Sequence, residues 1–458
     1  MTVSDYPSTL GKTNSGEATA ITGMHRGSAH EFRRYDEVPA AILLMTAAQH
    51  VLSLCAFLVF PILVGQAAGI DEAGIPALLS TTLIVMGVAN FLQTYSRIGS
   101  GYLCPAGMTA AYLGPSLIAA KLGGLATVLG MTAFAGLIEV ALSTVLHRLR
   151  QLAPAELIGT VILLVGIANA MTGFRTLVQR GSSEIAPNDL IIAGAAIGSM
   201  VVANLFAGSR AKFFCGLIGI VTGYLAAFAT GTLELQRFAA LRALPILALP
   251  PLPHLGMRFH SALIVPFAVV AFAATMKQVG FVSCAVRLQG DPDADVMTAA
   301  RKGVLADGLG TVAAGLLGGL GVNASASSAG LILATKISSR RVGFVIAALL
   351  VLLGFQPHFA AALAIMPRGV IAAVLVFTSL FVLTNGMEMI VGAGISAEKT
   401  ICVGLAVTGG LAFDLIPSLG ASLPNILAPL GSSSFVAGTT IALLLNVLIA
   451  LPRLWTKT

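Results

Sequence analysis

From Pro39 onward the chain is a succession of long apolar runs separated by short polar or Gly/Pro-containing breaks. A helix that crosses a bilayer needs about 20 mainly apolar residues and tolerates Gly and Pro inside it. On that scale twelve runs read as spans, near 39–65, 75–96, 123–146, 156–174, 188–207, 212–231, 261–286, 301–320, 342–366, 368–387, 399–413 and 433–452. Two further apolar stretches are short and broken. Leu103–Ile118 contains Pro105, Gly107, Gly114 and Pro115, and Leu320–Lys336 is preceded by Gly318 and Gly319 and contains Gly321 and Gly330.

Counting the broken stretches as well gives fourteen segments, with the broken ones third and tenth, each third in a set of seven. Paired interrupted segments at matching places in two halves point to a transporter built from inverted repeats. An odd number of spans per repeat turns the second half upside down. The pattern therefore predicts an all-α polytopic membrane protein of 7+7 inverted segments. Its solute site is expected where the half-helices of segments 3 and 10 meet. With the N-terminus inside, seventeen of the 26 Lys and Arg fall on inner loops and tails and seven on outer ones. Lys277 and Lys336 are left within segments. This asymmetry follows the positive-inside rule and places both termini in the cytoplasm of a cell-membrane protein.

Composition agrees. Of 458 residues, 57% are hydrophobic and 10% charged, with a mean hydropathy of +0.93. A soluble domain carries about 25% charged residues and needs a polar skin this chain could not supply. The net charge of +7 is scattered rather than gathered in a stripe, which argues against nucleic-acid binding. Residues 1–37 are rich in Ser, Thr, Gly and charge and read as a disordered tail, without the pattern of a cleaved signal peptide. Cys55, Cys104, Cys215, Cys284 and Cys402 are far apart and lie in apolar stretches. They read as small buried hydrophobes rather than a disulfide framework or zinc site. No metal or cofactor is expected, and without an HExxH or comparable motif, no enzyme activity.

Polar residues at membrane depth are costly and therefore informative. Lys277 follows an apolar run and stands about 15 Å along the helix from Arg287. It reads as a cation in a solute cavity or as a snorkelling lysine. Asp307 reads as its counter-ion, a proton carrier or a helix-end residue. Glu139 is a second candidate buried carboxyl. His50, beside Gln49, reads as a structural hydrogen-bonder or a proton relay. Asn323, Ser325, Ser327 and Ser328 open the second half-helix, where hydroxyls and free N–H groups suit an anion; close Ser-rich helix packing is the alternative. Tyr112 reads as a ring stacked on a flat ligand or as core filling.

At these residues the sequence resembles the nucleobase/ascorbate transporter family, also called the second nucleobase–cation symporter family. Gln49-His50 matches that family's Gln-His in its first helix. Ala306-Asp307-Gly308 through Gly343 follows its ninth and tenth segments without gaps. The signature Gln/Glu-Asn-x-Gly-x4-Thr falls on Ser327, Ser328, Gly330 and Thr335. Pro105 to Tyr112 matches the third segment, and Met366-Pro367-Arg368-Gly369-Val370 the start of the twelfth. The resemblance implies short strands between the half-helices and a core of segments 1–4 (38–150) and 8–11 (259–366). Segments 5–7 (151–258) and 12–14 (367–458) would form a gate. It further implies an elevator-type displacement, a homodimer among membrane lipids, and a coupling proton or sodium ion. Its solute-binding positions are Gln49, Tyr112, Lys277, Gln278, Ala326, Ser327 and Ser328, with His50, Asp307 and Glu139 in a coupling or structural polar network.

The departures are chemically pointed. A base-binding Glu of the family's eighth segment falls on Lys277, and its signature Gln/Glu and Asn fall on Ser327 and Ser328. An ammonium offers donors only, and a serine one donor with two lone pairs. Such a pocket is expected to favour oxygens or negative charge. Two expectations follow: an ion-coupled transporter of an oxidised purine such as xanthine or urate, or an anion transporter of the same fold for a carboxylate or inorganic anion.

Overall fold

The computed structural model describes residues 32–455 except 153, 179–183, 207–213, 234–243, 251–255, 290–294, 326–327, 329–330, 333–334, 395, 424–430 and 432–433. The structure is helical apart from one small sheet. Helix α1 (Ala40–Cys55) runs through a 3₁₀ turn at 56–58 into α2 (Val59–Ala67). Helix α3 (Ile75–Thr94) follows, then strand β1 (Ala106–Met108) and α4 (Leu113–Leu152). Next come α5 (Ala155–Leu177), α6 (Pro187–Phe206) and α7 (Cys215–Ala229). Helices α8 (Ile264–Gln289) and α9 (Val296–Leu317) lead to strand β2 (Val322–Ala324). The chain ends with α10 (Arg340–Gly354), α11 (Pro357–Ala364), α12 (Arg368–Gly392), α13 (Ala397–Leu415), α14 (Pro417–Ala421) and α15 (Ser434–Trp455).

Local chemistry sets many of these boundaries. Asp295 caps α9 through the amides of Met297 and Thr298, satisfying donors that the first turn leaves free. Hydrogen bonds from the Thr298 hydroxyl and amide hold its carboxyl below the usual carboxylate range. Ser339 caps α10 and Ser396 caps α13. Pro154 and Pro367 precede α5 and α12, where a missing N–H costs little.

Two boundaries differ from the hydropathy pattern. The third and fourth predicted segments are one chain of helical residues broken at Gly123 and Gly124, where Gly124 has φ +67°. That left-handed conformation favours a residue without Cβ, so the half-helix turns directly into the next span. The predicted single span 342–366 is two helices, α10 and α11, bent by 77°. Pro357 removes a helical donor and disfavours helical geometry at Gln356, whose φ and ψ are −105° and 93°.

Seven helices among the described residues are long and apolar enough to cross a membrane, or eight if the bent pair is one span. Two shorter apolar helices, Cys215–Ala229 and Ser434–Ile449, accompany them. The protein is therefore a multi-pass membrane protein. Packing is pairwise. Helix α4 lies on α9, α3 on α10, α5 on α12, α6 on α7 and α13 on α15. Ion pairs join α5 to the two ends of α13, Lys399–Glu156 at 3.3 Å and Arg175–Asp414 at 3.7 Å. Four cysteines are buried, while Cys284 on α8 is exposed.

Residues 32–37, grouped with the tail by composition, are tied to the helices; residues 1–31 lie outside the described part. Phe32 forms a parallel bridge with Ile337, and Arg340 N donates to Arg34 O at 3.0 Å. The Arg34 guanidinium donates to Gly101 O at 2.8 Å and Ser100 O at 3.2 Å. It also lies 4.0 Å from the Tyr102 ring centroid, a cation–π contact. This strap joins the chain just before β1 to the chain just before α10. Hydrogen bonds to a charged group contribute about 1.5–3 kcal/mol each at most. Arg34→Ala is expected to lower the unfolding midpoint of purified protein, and an unchanged midpoint would show the strap to be idle.

Candidate functional site

The two broken segments meet in the small sheet. Strands β1 and β2 run antiparallel with Ala106 opposite Ala324, Gly107 opposite Asn323 and Met108 opposite Val322. Thr109 N donates to Gly321 O at 3.3 Å and Ser325 N to Pro105 O at 2.9 Å, extending the pairing at both ends. A two-stranded ladder leaves outer backbone groups that have no water to bind at membrane depth. Side chains supply the partners. Asn90 of α3 donates to Ala106 O at 2.7 Å and accepts from Ala106 N at 3.0 Å. Across the sheet, Gln278 of α8 accepts from Ala324 N at 3.2 Å. Thr311 of α9 binds both Val322 N and Val322 O.

This framework brings several predicted residues together. Asn323 donates from Nδ2 to Asp307 Oδ2 at 2.6 Å and to Ala274 O at 3.0 Å. Asp307 is buried on α9, and it is the carboxyl whose charge acts on Lys277. Lys277 sits one turn beyond Ala274 on α8, beside Gln278. Its side chain is half-buried, unlike the buried Thr275 and Gln278 around it. The ammonium forms no ion pair with another described residue. Ser328 is helical and buried at the start of the second half-helix, and its Oγ has no partner among the described residues. An ammonium in no ion pair with a described residue and a hydroxyl without a partner are what an oxygen-bearing solute would engage.

Other predicted residues stand further back. Tyr112 is fully buried, its ring against Gly321 and 6.3 Å from the Phe267 ring centroid. A Cβ on Gly321 would clash with the Tyr112 ring. The Tyr112 hydroxyl donates to Glu139 Oε1 at 2.6 Å. Gln49 is half-buried on α1, and His50 is buried with neither ring nitrogen partnered among the described residues. Ala326 and Ser327 lie outside the described residues. The residues not singled out from sequence are Asn90 and Thr311, which hold the outer edges of the ladder. Asn90 was visible as an amide inside the apolar run 75–96, but its partner, a strand edge 16 residues away, was not.

The sequence model described as Permease family, the xanthine/uracil permease model, matches residues 41–418. That range contains both strands and every residue of the site. The chain belongs to this family. The permease is similar to xanthine permease XanP of Escherichia coli K12, 23% identical over 436 residues that cover 91% of this chain and 94% of that protein. It is similar to XanQ of the same organism at 25% identity, covering 93% and 95%. The xanthine permease of Bacillus subtilis is 24% identical, covering 87% and 92%. Among solved structures, the transmembrane domain of the cyanobacterial bicarbonate transporter BicA aligns with a TM-score of 0.50 at 16% identity, covering 91% of the permease and all of that chain. The murine anion transporter Slc26a9, in its inward-facing state, aligns with a TM-score of 0.58 at 10% identity, covering 98% and 74%. These two likenesses establish a shared fold.

Proposed function

We propose that this permease is a secondary active transporter of the cell membrane for a small planar, oxygen-rich or anionic solute, with an oxidised purine of the xanthine or urate kind as its first substrate. The observation that carries this reading is Lys277, a half-buried residue beside Gln278 whose ammonium is in no ion pair with a described residue. Carbonyl oxygens of an oxidised purine accept from it, as would the negative charge of a urate-like anion. Relatives that carry the name xanthine permease along nearly their whole length support the purine class.

The matched packing supports a 7+7 inverted architecture. α4 on α9 mirrors α3 on α10, α6 on α7 mirrors α13 on α15, and α5 faces α12. In that arrangement segments 1–4 and 8–11 form the moving core and segments 5–7 and 12–14 the gate of a homodimer. Transport proceeds by elevator-type displacement and is ion-coupled, with both termini cytoplasmic. The same lysine favours a second reading, transport of a small carboxylate or inorganic anion.

The two readings separate in proteoliposomes. Labelled xanthine is expected to enter saturably and to be displaced by excess urate, but not by simple carboxylates or sulfate. Failure of xanthine to enter, together with uptake of a labelled carboxylate or sulfate, would replace the first reading by the second.

A further inference from the structure

The site assigns tasks to Lys277, Asp307 and Asn323 but none to Glu139. Glu139 lies on α4 facing α9 and is wholly buried. Its Oε1 accepts from Tyr112. Among the described residues its Oε2 makes no direct hydrogen bond, and neither oxygen forms an ion pair. Gly308 brings the two helices so close that a Cβ there would stand 2.9 Å from Glu139 Cβ. Glu139 is thus held beside Asp307, the preceding residue of α9.

Among the described residues few polar groups act on Glu139. Helix α9 contributes Asp307 and the Thr311 hydroxyl and the turn before α4 contributes Tyr112, while Lys277 of α8 acts on Asp307. One ammonium therefore acts on the carboxyls of this region from a distance, and its charge acts on Asp307, which also holds the Asn323 amide. An ionised Glu139 would be an uncompensated charge in a dry interior, which costs several kcal/mol even after relaxation. A proton removes that cost. His50 is a poorer carrier because no hydrogen bond links it to any described group.

We propose that Glu139 is the proton-binding group of this transporter, loaded and unloaded once per cycle through the Tyr112 hydroxyl. The relay balances. A proton arriving at the Tyr112 oxygen forms a new O–H bond as the existing one breaks, and the released proton forms an O–H on Glu139 Oε1. The reverse steps unload it. With Glu139 protonated, Lys277 and Asp307 cancel and the core crosses the membrane without net charge of its own. This assignment rests on the purine-transport reading and adds where a coupled proton rides.

The test uses full-length protein in proteoliposomes, measuring labelled xanthine together with an internal pH dye. Wild-type protein is expected to accumulate xanthine under an inward proton gradient and to acidify the vesicle interior on xanthine addition. Glu139→Gln preserves shape and a hydrogen bond to Tyr112 but cannot give up a proton in this way. It is expected to lose gradient-driven accumulation and xanthine-induced proton flux by at least tenfold, while xanthine counterflow persists. Should that variant fail to fold, Tyr112→Phe keeps the ring and removes the relay, and is expected to flatten the pH profile of accumulation. Wild-type proton flux in Glu139→Gln, or a wild-type pH profile in Tyr112→Phe, overturns the proposal. Xanthine transport by wild-type protein with no proton flux also overturns it, yet leaves the transport reading intact. Absence of any xanthine movement in wild-type protein defeats the transport reading itself.

Discussion

Lys277→Ala is expected to weaken xanthine binding by about ten- to a hundredfold or more, because a hydrogen bond to a charged group contributes about 1.5–3 kcal/mol. The alanine leaves no donor at the strand junction in its place. Lys277→Arg keeps the charge but replaces a compact ammonium with a planar fork, so it is expected to restore binding only in part. The Lys277 charge also acts on Asp307, so removing it destabilises the fold as well. The double variant Lys277→Ala with Asp307→Asn separates the two effects. It is expected to recover thermal stability, since no lone charge remains, without recovering affinity. Thermal shift of the purified variants with and without xanthine reads both quantities. Wild-type affinity in Lys277→Ala would remove the lysine from the site and, with it, the preference for electron-rich solutes.

Gly308→Val is expected to have the largest effect on folding. Helices α4 and α9 meet through Gly136, Gly308 and Gly315. A Cβ at Gly308 would stand 2.7 Å from Val140 N and 2.9 Å from Gly136 O. Those neighbours are backbone atoms, so no rotamer change relieves the clash, and the helices must separate. Overpacking of this kind costs about 1–3 kcal/mol for small additions and more for large ones. Small residues that let backbones approach are how membrane helices gain packing energy in lipid. Separation would also move Glu139 away from Asp307. The expected result is little monodisperse protein and a sharply lowered midpoint. Gly392→Ala is the control, since nothing lies within 4 Å of a Cβ there. Equal behaviour of the two variants in size-exclusion and melting measurements would show that the close crossing does not limit stability.

Several long spans and the two broken segments were legible as local patterns of apolar length, Gly and Pro. The bend at Pro357 illustrates where averaging fails. Averaged hydropathy over 342–366 is continuous, and only the short break at Gln356-Pro357-His358 marks that two helices at 77° share the run. The site was half legible. Lys277, Asp307 and Glu139 stood out because a charge inside an apolar stretch is expensive and so calls for a partner. Which partner each takes could not be read along the chain. Tyr112 was a ring in a broken segment, open to stacking on a ligand, until its hydroxyl was seen on Glu139, 27 residues away. Arg34 was part of a polar tail until its guanidinium was seen on Gly101, 67 residues away.

Membrane residence, the polar exceptions and the paired interruptions belong to the amino-acid order alone, because bilayer thickness and the cost of unpaired charge act on each segment separately. The coupling of Glu139 to Tyr112, the sharing of Lys277 with Asp307 and the clamping of the strand edges by Asn90 and Gln278 exist only once α3, α4, α8 and α9 are packed. Those contacts join residues far apart in sequence, and no local periodicity encodes a distance between helices.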